Sequence, residues 1–348
     1  MKAAVFKEVG RPLVLESRPD PVPRRDEVVI KVGRCGICSS DLHMTAGHVV
    51  TFPGDSVLGH EYAGEVVEVG ADVRSLKIGD RITALPMAGC GACAECLRGF
   101  PLACASMRPM MSGYAQYALA AERWAVKLPS SLSLADGALI EPLASSLRGV
   151  VMADLRAGAH VVVLGAGTIG LGAIFWANRL GAKRILAIAR TERQRDLALH
   201  MGATHFLLQG EGLKQRVSAA LDGPPAAVFE CIGAPGALGL AAELVAPRGT
   251  VVALGQCLLP DSVNPFLAGM KSIVVKFSAA YELRDFETAT DAMDRGAVEP
   301  RTMVSETIAL DSLPATFEQL RHSPRGTKIL VDPSLAPPPV LTAATGSA

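Results

Sequence analysis

The sequence predicts an α/β chain of two domains, a small barrel-like, mainly β unit followed by a doubly wound parallel sheet of six strands, and three observations carry the prediction. Its 348 residues make about two domains at roughly 100–200 residues each. Up to about residue 150 the chain consists of short β-branched runs broken by Gly and Pro, among them EVVIKVG, GEVVEVG and GDRITAL. From Ala159 the texture changes to near-continuous apolar runs alternating with helical stretches, the pattern of parallel strands covered on both faces.

In chain order the second unit reads HVVVLG as a strand, TIGLGAIFWANRLG as a helix, RILAIA as a strand, ERQRDLALHMG as a helix and HFLL as a strand. LKQRVSAAL follows as a helix, AAVFECIG as a strand, GALGLAAELVA as a helix, and TVVALG and SIVVKFS as the last strands. The piece from Tyr281 to Pro333 is too short for a core of its own and is expected to return to the first unit. The division expected is therefore 1–148 with 280–335 for the first domain and 149–279 for the second. SLAPPPVLTAATGSA combines three consecutive prolines with small residues, so 336–348 is expected to be a disordered tail.

Lys plus Arg equals Asp plus Glu at 34 each, so no basic field argues for nucleic acid or an anionic membrane, and the expected partner is a small molecule. Apolar residues at 49% and charged ones at 20% exclude disorder or coiled coil for the bulk of the chain. The opening MKAAVFKEVG has no apolar run of signal-peptide length, and no stretch reaches the roughly 18 uninterrupted apolar residues of a membrane span. A soluble, cytoplasmic protein is expected.

Eight cysteines stand at positions 35, 38, 90, 93, 96, 104, 231 and 257, and in such a chain their crowding reads as metal binding before disulfides. In GCGACAECLRGFPLAC, short spacers let Cys90, Cys93, Cys96 and Cys104 turn their sulfurs onto one ion, a closed tetrahedral zinc site of structural type. An iron–sulfur cluster or four free thiols are the competing readings. A second set is split: CGICSSDLH supplies Cys38, Ser40, Asp41 and His43, and LGHEYAGEVVEVG supplies His60 and Glu61. A thiolate, an imidazole and a carboxylate can hold zinc while leaving a position open, which is the catalytic pattern. Cys35 reads as a buried thiol. In GAGTIG, Gly165, Gly167 and Gly170 enclose Thr168 and Ile169 between a strand and a helix start, so backbone amides and the helix N-terminus can hold the pyrophosphate of a dinucleotide.

With these motifs in this order, the sequence resembles the zinc-containing medium-chain dehydrogenase/reductase superfamily, often called the alcohol dehydrogenase family, over roughly residues 1–335. IEPLA at Ile140 to Ala144 is similar to its polyol, sugar and threonine dehydrogenase branch, and would put Glu141 at or next to the catalytic zinc. The resemblance implies a GroES-like catalytic domain on a Rossmann domain and two zinc ions per chain, one catalytic and one structural. It implies transfer of hydride between a secondary alcohol or polyol and nicotinamide, the substrate proton leaving through Ser40, a cofactor ribose hydroxyl and His43. Glu61 would be a direct ligand or exchange with water, and Asp41 would orient His60. A homodimer or homotetramer pairing through the TVVALG to SIVVKFS region is also implied.

Two alternatives run against these residues. A zinc-free reductase of activated double bonds on the same fold has no use for the metal ligands, and a non-catalytic dinucleotide-binding protein needs neither an open metal site nor Ser40 and His43.

Two departures from the family pattern stand out. Ser112-Gly113-Tyr114-Ala115-Gln116-Tyr117 replaces a Gly-Gly-Phe-Ala-Glu-Tyr type strand after a short loop, so the pocket wall is expected to differ, with Met107, Met110 and Met111 either lining an apolar pocket or filling core. Ala189 stands at the strand end where NAD-binding members carry an acid, and Arg190, Thr191 and Arg193 follow, which favours NADP over NAD. The competing reading leaves both arginines solvated and gives the ribose to Glu192.

Overall fold

In the computed structural model of the chain, which describes residues 1–48, 52–323 and 325–336, the β-branched run EVVIKVGRCG forms the ten-residue strand Glu27–Gly36. This strand is the spine of a seven-stranded sheet. Glu61–Val69 pairs antiparallel along one edge, and the other edge is shared by Tyr117–Ala121 and Lys328–Asp332. Register shifts at Val29/Ile30 and Val32/Arg34 bend the spine as bulges do. Val28, Ile30 and Val32 pack with Tyr62, Tyr114 and Phe317 in its core. Because Lys328–Asp332 also pairs parallel with Val304–Ala309, residues from the far end of the sequence complete the sheet that the early ones begin.

All six apolar runs of the second unit form the strands expected of them. They lie parallel in the order His205–Leu208, Arg184–Ala189, His160–Leu164, Ala227–Glu230, Thr250–Ala253, Val274–Phe277. Val161, Val162 and Val163 have no exposed surface, which is why this sheet shows continuous apolar runs where a one-faced sheet would alternate. The order reverses direction between His160–Leu164 and Ala227–Glu230. In open α/β sheets, ligands bind beyond the carboxyl ends of the strands at such a switch.

Between the units runs the helix Leu134–Met152, started by a reciprocal capping box of Ser133 and Asp136. It packs on the helix Thr168–Arg179 so closely that a Cβ on Gly172 would meet Ser146 Oγ at 2.2 Å. Residues 148 and 149 both lie inside this helix, so no linker marks that boundary, whereas residues 278–282 separate the last parallel strand from the helix Leu283–Asp294. Residues 337–348, all but the first of the expected tail, lie outside the described residues. Among the described residues, no helix is long and apolar enough to cross a membrane.

Candidate active site

The four-cysteine segment is tied at its ends by the two-stranded pairing of Met87–Ala88 with Arg108–Pro109. Its four sulfurs lie within 4.8 Å of one another. Backbone amides face them: Cys90 N donates to Cys104 Sγ at 3.3 Å, Cys93 N to Cys90 Sγ at 3.4 Å and Ser106 N to Cys104 Sγ at 3.4 Å. Gly89 carries no side chain because a Cβ there would meet Cys96 Sγ at 2.4 Å. Backbone N–H donors of Ala92 and Cys93 pull the Cys90 thiol down to about 6, while burial pushes Cys96 up to about 12. A dication among the sulfurs lets all four be thiolates, so the donor set fits a closed zinc site.

The split set is brought together by strand register, since Gly36 pairs with Glu61 and so places the end of CGIC beside GHE. Gly36 is bare there, as a Cβ would strike the Glu61 carboxylate at 1.9 Å. Cys38, at the N-cap of the helix Ser39–Thr45, joins His60 and Glu61 with ligand atoms within 4.8 Å of one another. His60 Nδ1 lies 3.0 Å from Oδ1 of Asp41, which is fully buried, and that contact leaves Nε2 facing the set. Burial opposes a charged imidazole, yet the Asp41 carboxylate and the Cys38 sulfur outweigh it and hold the His60 pKa well above 6.5. A cysteine sulfur, an imidazole nitrogen and a carboxylate oxygen that converge this closely are a donor set that fits zinc.

Ser40 Oγ donates to Cys38 Sγ at 3.1 Å and lies 3.3 Å from His60 Nε2, inside the same cluster. Half-buried His43 stands outside it, its Nδ1 3.5 Å from His48 Nδ1. Among the described residues no hydrogen bond joins Ser40 to His43. Glu141 is not one of the groups within the 4.8 Å set. It is buried beside that set and bonded by the Tyr281 phenol, and burial, with Glu61 adding to it, raises its carboxyl to about 7.

Each glycine of the turn does separate work. Gly165 has φ +95° and its N–H donates to Ile188 O at 2.8 Å, a conformation glycine adopts without strain. Gly167, at the N-cap of Thr168–Arg179, has open space where a Cβ would stand. Gly170 must be bare because a Cβ would meet Gly165 O at 1.8 Å. Thr168 Oγ1 donates to Thr327 O at 2.9 Å, and Ile169 O accepts from Ser146 Oγ at 3.2 Å, so both side and main chain of this turn are tied to other segments. Ala189 ends its strand; Arg190, Thr191 and Arg193 are exposed, and Glu192 is paired with Arg195 at 3.1 Å.

A cavity of about 230 Å³ connects the two regions, with Ile37, Cys38, Ser39 and Leu42 on one side and Gly167, Thr168, Arg193 and Gln194 on the other. A shallower hollow of about 450 Å³ around Met1, Lys2 and Gln116 contains none of the candidate residues. Met110 is buried in the core, and Met107 and Met111 pack against core clusters, so of the two readings of these methionines the structure gives core filling. Flexible thioethers suit that irregular space.

Three polar residues at this site escaped the sequence reading. Lys328 is buried against Glu61, Tyr281 reaches Glu141, and Tyr114 donates to Asp41 Oδ2 at 2.6 Å. Lys328 had a usable signal, a charge at the head of the apolar run ILV in the strand KILVD.

Residues 24–130 match the family described as alcohol dehydrogenase GroES-like domain, and residues 168–295 match the zinc-binding dehydrogenase family. The chain is 29% identical to sorbitol dehydrogenase of Bacillus subtilis (strain 168), covering 96% of this chain and 98% of that protein. It is 32% identical to D-xylulose reductase of Scheffersomyces stipitis, covering 84% and 83%. A crystal structure of a Sinorhizobium meliloti 1021 chain bound to NADP superposes with a TM-score of 0.88 at 31% identity, covering 95% of this chain and 99% of that one. The chain therefore belongs to the zinc-type alcohol dehydrogenases of the medium-chain dehydrogenase/reductase superfamily, on their polyol dehydrogenase branch.

Proposed function

We propose that the chain catalyses the reversible oxidation of a secondary alcohol or polyol to its ketone, with zinc at the Cys38, His60 and Glu61 set and NADP as hydride acceptor. The observation that carries this reading is the cavity that has Cys38 on one wall and the glycine turn on the other. Zinc there supplies Lewis acidity, which makes a substrate hydroxyl easier to deprotonate. Ser40 accepts the substrate proton at Oγ, and its place between Cys38 Sγ and His60 Nε2 supports that role. His43 takes the proton on the solvent side, where burial and then His48 hold its pKa below 6.5 and keep it an acceptor at neutral pH.

Asp41 keeps the His60 ring oriented, and Glu141 acts from beside the ligand set. Cys90, Cys93, Cys96 and Cys104 hold a second, structural zinc. Gly165, Gly167, Thr168, Ile169 and Gly170 cradle the cofactor pyrophosphate, and Ala189 with Arg190, Thr191 and Arg193 accommodates a 2′-phosphate. The pairing of Glu192 with Arg195 supports this choice, because the nearest acid already has a partner. We assign residues 1–148 and 280–335 to the catalytic domain and 149–279 to the cofactor domain. Edge strand Val274–Phe277 leaves Val274 and Phe277 exposed, which supports a homodimer or homotetramer formed along it.

A panel of secondary alcohols, polyols, sugars and primary alcohols, followed by absorbance of the reduced nicotinamide, tests the reading. Turnover of secondary alcohols or polyols that stops when zinc is chelated is the expected result. Zinc-independent reduction of activated double bonds would overturn it.

A further inference from the structure

Asp41 is fully buried, and its two carboxylate oxygens face different partners. Oδ1 lies 3.0 Å from His60 Nδ1, and Oδ2 accepts the Tyr114 phenol hydrogen at 2.6 Å. Among the described residues no other side chain donates to this carboxylate. A buried carboxylate oxygen without a donor is costly, so the phenol decides where the carboxylate rests.

Tyr114 is itself held on every side. Its ring has no exposed surface and stands edge-on to Phe317, centroids 6.2 Å apart. It also fills the space over Gly59, the residue before His60, where a Cβ would meet it at 2.7 Å. Its N–H donates to Leu58 O at 3.0 Å, and its carbonyl accepts from Ala4 N at 2.8 Å. The hydroxyl therefore comes from a fixed point, and the row Tyr114, Asp41, His60 transmits that fixity to the imidazole.

We propose that Tyr114 is a positioning residue of the catalytic metal site: its hydroxyl fixes Asp41, and through Asp41 it sets the ring plane and the Nδ1–H tautomer of His60, so that Nε2 is presented to the ion. The inference rests on the zinc reading above. Partners one step behind a metal ligand typically matter by about 10–100-fold in metal affinity. Tyr114→Phe keeps the ring and its packing but removes the donor.

The experiment follows zinc release from the purified two-zinc protein to a chromogenic chelator. Tyr114→Phe is expected to release one zinc per chain at least about 10-fold faster than the parent, with the other unchanged. Phe317→Leu, which loosens packing around the ring but leaves the hydroxyl, is expected to lower Tm while both zincs leave at the parent rate. Two zincs leaving Tyr114→Phe at parent rates would overturn the role of Tyr114 alone, as would Phe317→Leu releasing zinc as fast as Tyr114→Phe. A parent chain carrying no zinc beyond the four-cysteine site would overturn the metal reading and this inference with it.

Discussion

Lys328 Nζ lies 2.6 Å from both carboxylate oxygens of Glu61, with 3% and 1% of the two residues exposed. Its remaining partner is the Ile37 carbonyl at 3.0 Å, one residue before Cys38. The last strand of the fold thus plants a cation against the carboxylate of the metal set. Lys328 balances one of several buried negative groups and limits how freely Glu61 can turn.

In protein stripped of the ion at the Cys38, His60 and Glu61 set, replacing Lys328 by Met is expected to destabilise the fold by about 3–5 kcal/mol, because it leaves the Glu61 charge buried without a partner. Adding Glu61→Gln should recover much of that loss. Urea unfolding of the two single variants and the double variant measures the coupling, and a Lys328→Met variant as stable as the parent would contradict it.

Two zinc ions with unequal roles should separate by mutation. Cys96→Ser is expected to lose one zinc and lower Tm, since a structural site contributes folding free energy. Cys38→Ser should abolish turnover while the fold is largely kept. Elemental analysis of the parent finding one zinc or none would remove the assignment.

How far the sequence reaches depends on how far apart the contacting residues stand. The four-cysteine lobe is readable because its ligands lie on one short loop. The split set is readable because its residue types are unusual together, although only the pairing of Gly36 with Glu61 unites them. Periodicity carries no trace of the contacts between Tyr114 and Asp41, 73 positions apart, or Lys328 and Glu61, 267 apart, which are made by the tertiary path of the chain. The six parallel strands were readable for the opposite reason, since burial on both faces writes itself into each run separately.

Ser40→Ala is expected to lower kcat by about 10²–10⁴-fold at every pH with little effect on cofactor binding. The pH dependence should belong to His43, held below its usual 6.5 by burial and then by His48. Oxidation needs the unprotonated imidazole, so turnover falls as pH drops through that lowered value. His48→Asn removes one of the two causes and should move the acid limb of kcat/KM to higher pH. A limb unmoved by His48→Asn would separate His43 from the proton path.

Phe277, 69% exposed on the edge strand Val274–Phe277, is expected to be covered in an oligomer. Phe277→Asp should shift the chain toward monomer in light scattering, since a buried charge opposes pairing along that edge. A parent protein already monomeric at micromolar concentration would contradict the assignment.

Cofactor choice turns on the end of strand Arg184–Ala189. An acid at that point would accept the ribose hydroxyls and repel a 2′-phosphate, but Ala189 does neither. Arg190 follows it, exposed, and a guanidinium can give paired hydrogen bonds to phosphate oxygens. The competing acid, Glu192, is held by Arg195 at 3.1 Å, and accepting a ribose would cost it that exposed pairing. NADP is therefore expected to give the higher kcat/KM. Arg190→Ala should narrow the preference chiefly through the KM for NADP, leaving kcat near the parent value, because the contact is made equally in ground and transition states. Initial rates with both cofactors, in the parent and in Arg190→Ala, measure this. A parent that prefers NAD, with a preference indifferent to Arg190, would assign the ribose to Glu192 instead.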